Sequence, residues 1–264
     1  SRTLPAQVFG SGRALLTNNR ESGMRKIFID GGAHRATSVK NFKENYPDAK
    51  EYEIFSFEAN NNFKKDFEKY PDVKLEIALV WVSDGEQTFY NNNREGSSIY
   101  ESKGYRRGSG SRFEDSQVSA EIVRTIDLDR WIKENLSEDD HIILKMDIEG
   151  AEYEVLDHMI KNGSIKYINK LFIEWHCAKV IEISVDRHLG LLEGLIREEL
   201  IPCHWSYTST NFNNIAVSKR NIARKDNSGN NEKLKSFEQL EERYNIICES
   251  FRKLQKQSKG RKKE

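Results

Sequence analysis

The sequence predicts an α/β fold: an open, doubly wound, mostly parallel sheet with a helical extension at its C-terminal end. Two patterns carry that prediction. Compact apolar runs alternate with helix-length amphipathic spacers, as in consecutive βαβ units. Four of the apolar runs end in an acid, at Asp30, Glu58, Asp147 and Glu174. Open sheets of this kind bind ligands beyond the carboxyl ends of their strands, so these acids mark one edge as a site.

Residues 1–23 are weakly patterned and read as an irregular lead-in. The first strand is Lys26–Asp30, followed by Gly31-Gly32-Ala33-His34. Val39, Phe42 and Tyr46, at spacings of three and four, give the next helix a buried face, and Pro47 stops it. A second strand, Glu53–Phe57, ends in Glu58. A short helix carries Phe63 and Phe67, and a third strand covers Leu75–Val80. Ser83-Asp84-Gly85 is a turn into a strand at Gln87–Tyr90. Residues 91–117 are rich in Asn, Gly, Ser and Arg and read as a long loop or hairpin excursion. Strand character resumes at 121–126, and Asp127–Leu136 is helical. Ile142–Met146 is almost continuously apolar, as a central parallel strand should be, but is interrupted by Lys145. A helix through Tyr153, Val155, Leu156, Met159 and Ile160 follows. Then come a strand at Leu171–Ile173, a helix at His188–Leu200 and a final strand at Asn214–Val217.

The domain organisation expected is a lead-in over 1–23, one α/β domain over 24–226, and a linker with a charged helix and basic tail over 227–264. In the last segment Phe237, Leu240, Tyr244, Ile247, Phe251 and Leu254 alternate spacings of three and four, a seam of little more than two heptads. Such a seam serves either to pack the helix on its own domain or to dock a partner or a second copy. Residues Ser258–Glu264 read as a disordered tail.

Composition narrows the function classes. Lys plus Arg and Asp plus Glu are both 42, so the formal net charge is zero. A broad nucleic-acid footprint usually needs a basic surplus. Cys177, Cys203 and Cys248 are too far apart for a metal motif or a disulfide framework, which points to the cytoplasm or another reducing compartment. No run of about 18 apolar residues is present to span a membrane. The chain opens on Ser1 rather than Met and reads as trimmed, leaving a removed targeting segment or an upstream domain open.

At the predicted site, Gly31, Gly32 and Ala33 are small enough for backbone to approach a ligand closely. Glu58 ends the second strand, where a carboxylate can accept both hydroxyls of a ribose. Phe28-Ile29-Asp30-Gly31-Gly32-Ala33-His34 resembles the first cofactor motif of the FkbM family of methyltransferases. Phe57-Glu58-Ala59-Asn60 resembles that family's second-strand motif, and Ala78 with Ser83-Asp84-Gly85 its third-strand region. Leu144-Lys145-Met146-Asp147-Ile148-Glu149-Gly150-Ala151-Glu152 resembles its most diagnostic segment, and Ile173-Glu174-Trp175-His176 its fifth-strand end. Order and spacing agree from about residue 26 to 218. One departure is Ala36, where the family usually has glycine.

The resemblance implies a Rossmann-like class I methyltransferase fold with S-adenosylmethionine (SAM) as donor. It also implies a hydroxyl acceptor on a sugar, glycan or similar polyol. The cofactor residues it implies are Asp30, Gly31, Gly32, Ala33, His34, Glu58, Ala59, Asn60, Ala78 and Asp147. A hydroxyl is a poor nucleophile, so a base or a metal should assist. Asp147 is the first candidate at the acceptor, with Glu149 and Glu174 beside it and His176 as the favoured general base. Glu152 reads as a first-turn acid at a helix N-terminus. Asp147 and Glu174, with Glu149, would also offer oxygen ligands to Mg²⁺ or another divalent cation, with His176 nearby. Two other readings stay open: an RNA 2′-O-methyltransferase, and a catalytically degenerate fold serving as a binding scaffold.

Overall fold

The computed structural model describes residues 24–91, 96–101, 119–180, 182–205, 214–217 and 231–261. The lead-in over 1–23, the linker at 227–230 and much of the 91–117 excursion lie outside the described residues.

Among the described residues the strands are β1 (Lys26–Gly31), β2 (Tyr52–Glu58), β3 (Val73–Ile77), β4 (Leu79–Trp81), β5 (Gly85–Asn91), β6 (Ser119–Asp127), β7 (His141–Met146), β8 (Ile168–Ile173) and β9 (Pro202–His204). Six of them form one sheet in the order β3-β2-β1-β7-β8-β9, and every pairing in it is parallel. The α-helices are α1 (Thr37–Asn45), α2 (Leu128–Asn135), α3 (Glu152–Asn162), α4 (Val185–Arg197) and α5 (Asn231–Arg261). The segment with Phe63 and Phe67 is a 3₁₀ helix, Asn61–Phe67.

The central strands alternate their side chains between two apolar layers. Ile27 and Ile29 of β1, Leu144 and Met146 of β7, and Leu171 and Ile173 of β8 join the core shared with α2, α3 and α4. Phe28, Ile143 and Phe172 point to the other face, under α1. There Phe28 stacks on Phe42 with ring centroids 3.9 Å apart. Local chemistry fixes the helix ends. The Asp127 carboxylate accepts from the Arg130 backbone N–H to cap α2, and the Ser184 hydroxyl accepts from that of Arg187 to cap α4. Gly163, left-handed at φ 93°, ends α3.

Three elements differ from the sequence expectation. The run Leu75–Val80 is not one strand. The chain leaves the main sheet at Ala78, whose N–H donates to Glu58 O at 3.0 Å, and continues as β4 in a second sheet of order β4-β6-β5. The apolar residues Leu75, Ile77, Ala78, Leu79 and Val80 run across the break and conceal it. The main sheet's outer strand is β9, not Asn214–Val217. Among the described residues that segment lies against β9 through an antiparallel bridge between Ile215 and Cys203, with His204 N–H donating to Asn214 O and Ala216 N–H to Pro202 O. The expected tail from Ser258 is helical as far as Arg261.

The C-terminal seam faces its own domain. Tyr244, Ile247 and Phe251 are buried in the main core, with Leu240 and Leu254 packed at its margin. The Arg243 guanidinium pairs with Glu193 and Asp186 of α4. The side chain of Phe237 lies outside the described residues. Removing the ring of Phe251, which is fully buried, should therefore lower unfolding stability by about 3–5 kcal/mol. Urea denaturation of Phe251→Ala checks this, and an unchanged midpoint would show that α5 does not pack on this core.

Candidate active site

The carboxyl ends of β1, β2, β7 and β8 surround a cavity of about 580 Å³. Its floor is set by the turn after β1. The N–H groups of Gly32 and Ala33 both donate to Phe57 O at 3.1 Å, and the Asp147 N–H donates to Gly31 O at 3.1 Å. The turn is thus held between the ends of β2 and β7. Gly32 has φ +75°, and a Cβ on it would lie 2.0 Å from the Asp147 carbonyl oxygen. No residue other than glycine fits there. His34 and Ala36 also adopt left-handed φ, 47° and 59°. The second value explains the glycine usual in the resembling family: this position needs a conformation that costs an alanine about 1 kcal/mol.

Beneath the turn lies a buried ion pair. Asp30 and Lys145 are directly opposed in the β1–β7 register, and both are fully buried. Lys145 Nζ stands 3.1 Å from Asp30 Oδ1 and 3.9 Å from Asp147 Oδ2. It donates to Gly32 O at 2.8 Å. The Ser38 hydroxyl, on α1, donates to Asp30 Oδ2. The charge that interrupts the apolar run of β7 therefore secures the turn.

Glu58 stands at the end of β2 on the cavity wall. One of its oxygens accepts the His34 N–H at 2.7 Å and the other the Asn60 N–H at 2.8 Å. Burial pushes its carboxyl above the usual range, while the N–H groups of Asn60 and His34 and the Lys145 charge pull the other way. Around it the wall is apolar, with Phe63, Ala78, Leu79 and Phe89.

The opposite end is acidic. Asp147, Glu149 and Glu174 line it, with Lys179, whose Nζ donates to Glu174 Oε1 at 2.9 Å. His176 lies behind this wall, fully buried. Its Nδ1 is 2.8 Å from Glu152 Oε1. Its Nε2 is 3.1 Å from Glu149 Oε2 and 3.7 Å from both Asp147 Oδ1 and Glu174 Oε1. Glu152 also receives the N–H groups of Ile148 at 3.0 Å and Gly150 at 2.8 Å. This carboxylate closes the loop after β7, where Glu149 and Gly150 both take left-handed φ.

Part of the 91–117 excursion forms the side wall. Ser98 exchanges backbone hydrogen bonds with Tyr90, and its hydroxyl donates to Glu149 O at 2.6 Å. Gly96 and Ser97 reach the cavity. Arg94, Tyr105, Arg106 and Arg107, the side chains of the excursion that by type suit a polyol or an acidic sugar, lie outside the described residues.

Of the cofactor residues named from sequence, Gly32, His34, Glu58, Ala59, Asn60, Ala78 and Asp147 line the cavity. Asp30, Gly31 and Ala33 do not, and support the turn from below. On the acceptor side Asp147, Glu149 and Glu174 line it, while His176 stands one layer back. Sequence reasoning missed Thr37, Leu79, Val80, Phe89, Ile148 and Lys179 in the lining, and the part Glu152 takes behind His176. A carboxylate within four residues of a loop with open N–H groups was the available signal for Glu152.

The parallel strand order and the acid-lined cavity at its carboxyl edge define a Rossmann-like α/β protein of class I methyltransferase architecture. A family model described as the Methyltransferase FkbM domain matches residues 30–190, more than half of the chain. The chain belongs to that family and is a methyltransferase. No curated protein and no solved structure matches it. No helix among the described residues is long and apolar enough to cross a membrane.

Replacing one partner of a buried ion pair strands the other charge, at a cost of about 3–5 kcal/mol. Lys145→Met should lose stability on that scale, and Asp30→Asn/Lys145→Met should recover most of it, as read by chemical denaturation. Equal losses in the single and double variants would contradict the pairing.

Proposed function

We propose that this methyltransferase uses SAM as donor and methylates a hydroxyl oxygen of a sugar, glycan or similar polyol. The observation that carries the reading is Glu58. An ionised carboxylate accepts about four hydrogen bonds, and the two backbone N–H groups that donate to Glu58 leave capacity for the two hydroxyls of a ribose. The remaining wall suits the same ligand. Phe63, Leu79 and Phe89 offer apolar faces to a flat base. The turn after β1 presents small residues rather than a phosphate cradle, in keeping with a cofactor that has a ribose and no phosphates. The cavity volume lies in the range of small-molecule sites.

Bound in this cavity, SAM supplies a sulfonium methyl: the S–CH₃ bond breaks as the O–CH₃ bond forms, and the bonding pair returns to sulfur. The chain's own task is to align the hydroxyl and receive its proton. Asp147, Glu149 and Glu174 do this from the cavity wall, with His176 behind them. The acidic lining, together with Ser97 at the rim, fits a polyol that donates several hydrogen bonds. SAM should bind the wild-type protein saturably in calorimetry, and Glu58→Gln, which keeps an acceptor for the backbone N–H groups, should weaken it at least tenfold while circular dichroism shows the fold retained. Absence of SAM binding to the folded wild-type chain would overturn the proposal and favour a scaffold role.

A further inference from the structure

We propose that Asp147, Glu149 and His176 form a binding site for one divalent cation at the acceptor end of the cavity. This rests on the methyl-transfer reading above and assigns its acidic residues individual roles.

The inference starts from Glu152. It is fully buried, and receives the N–H groups of Ile148 and Gly150. Those donors hold it as an acceptor, so the contact of 2.8 Å to His176 assigns the ring proton to Nδ1. The other ring nitrogen, Nε2, lies on the side of Asp147, Glu149 and Glu174. That atom is buried and makes no hydrogen bond, although carboxylate oxygens of Glu149, Asp147 and Glu174 stand 3.1, 3.7 and 3.7 Å away. Three carboxylates gathered at one buried ring nitrogen repel one another unless positive charge stands among them.

A cation satisfies all of these groups together. One ligand atom each from Asp147, Glu149 and His176 lies within 4.8 Å of the other two, compatible with ligands about 2.0–2.3 Å from a common centre. The Glu152–His176 contact is the carboxylate–histidine arrangement that orients metal-bound imidazoles. Two carboxylates with one imidazole suit Mn²⁺ or a similar divalent ion that takes mostly oxygen ligands. The cation would draw the acceptor's oxygen to itself and favour its deprotonation. Glu174, on the cavity wall but outside this trio, is left to take the proton. A second acidic group, Asp127, Asp129 and His158, carries no such inference. Asp127 caps α2 and Asp129 is paired with Lys133.

The test is Mn²⁺ binding to the full chain, followed by electron paramagnetic resonance, with SAM calorimetry on the same samples. The wild type should bind about one Mn²⁺ per chain and show nitrogen coupling from one imidazole. His176→Ala should abolish that coupling, and Glu149→Gln should weaken binding at least tenfold while the fold, read by circular dichroism, persists. His158→Ala should change nothing. No Mn²⁺ binding, or binding without nitrogen coupling that survives His176→Ala, overturns the cation site. SAM binding retained in that case leaves the methyltransferase reading standing, and its loss in the wild type would sink both.

Discussion

A buried ion pair between Asp30 and Lys145 joins the two central strands where the chain must turn sharply. Lys145 does more than neutralise Asp30, since it also holds the Gly32 carbonyl. Gly32 in turn presses against the Asp147 backbone so closely that no side chain fits between them. The floor of the cavity and the start of its acidic wall are therefore set by one cluster. A buried pair contributes little net stability compared with apolar packing. Its value here is positional: it fixes which backbone atoms face the ligand.

The loop after β7 is ordered by a second buried carboxylate. Glu152 gathers two backbone N–H groups of the loop and the His176 ring. The left-handed conformations of Glu149 and Gly150 persist because this hub, together with Ser98 above it, overdetermines them. Both ends of the cavity thus follow one plan. An acid inside the protein fixes each loop; the turn after β1 then presents small residues to the cavity, and the loop after β7 presents Asp147 and Glu149.

The fold was largely legible in the sequence, because a parallel sheet covered on both faces forces apolar runs separated by helices. The wall of the site was legible for the same reason, as strand ends must carry the ligand contacts. What each acid does was not. Both acids lie near strand ends, yet Asp30 is level with Ser56 in the β1–β2 register, two residues short of Glu58, so Asp30 stays under α1 while Glu58 stands past it and reaches the cavity. Lys145 was visible only as an interruption, since its partner lies on a neighbouring strand far away in the chain. The split of Leu75–Val80 was hidden because apolar residues continue across it from Ile77 to Val80. Glu152 looked like an ordinary first-turn acid, and only the tertiary fold brings His176 behind it.

The most direct test of the central claim is a crystal structure with S-adenosylhomocysteine bound. The account predicts both ribose hydroxyls on the Glu58 carboxylate and the sulfur directed toward Asp147. A ligand bound elsewhere, or in this cavity with its ribose away from Glu58, would contradict it.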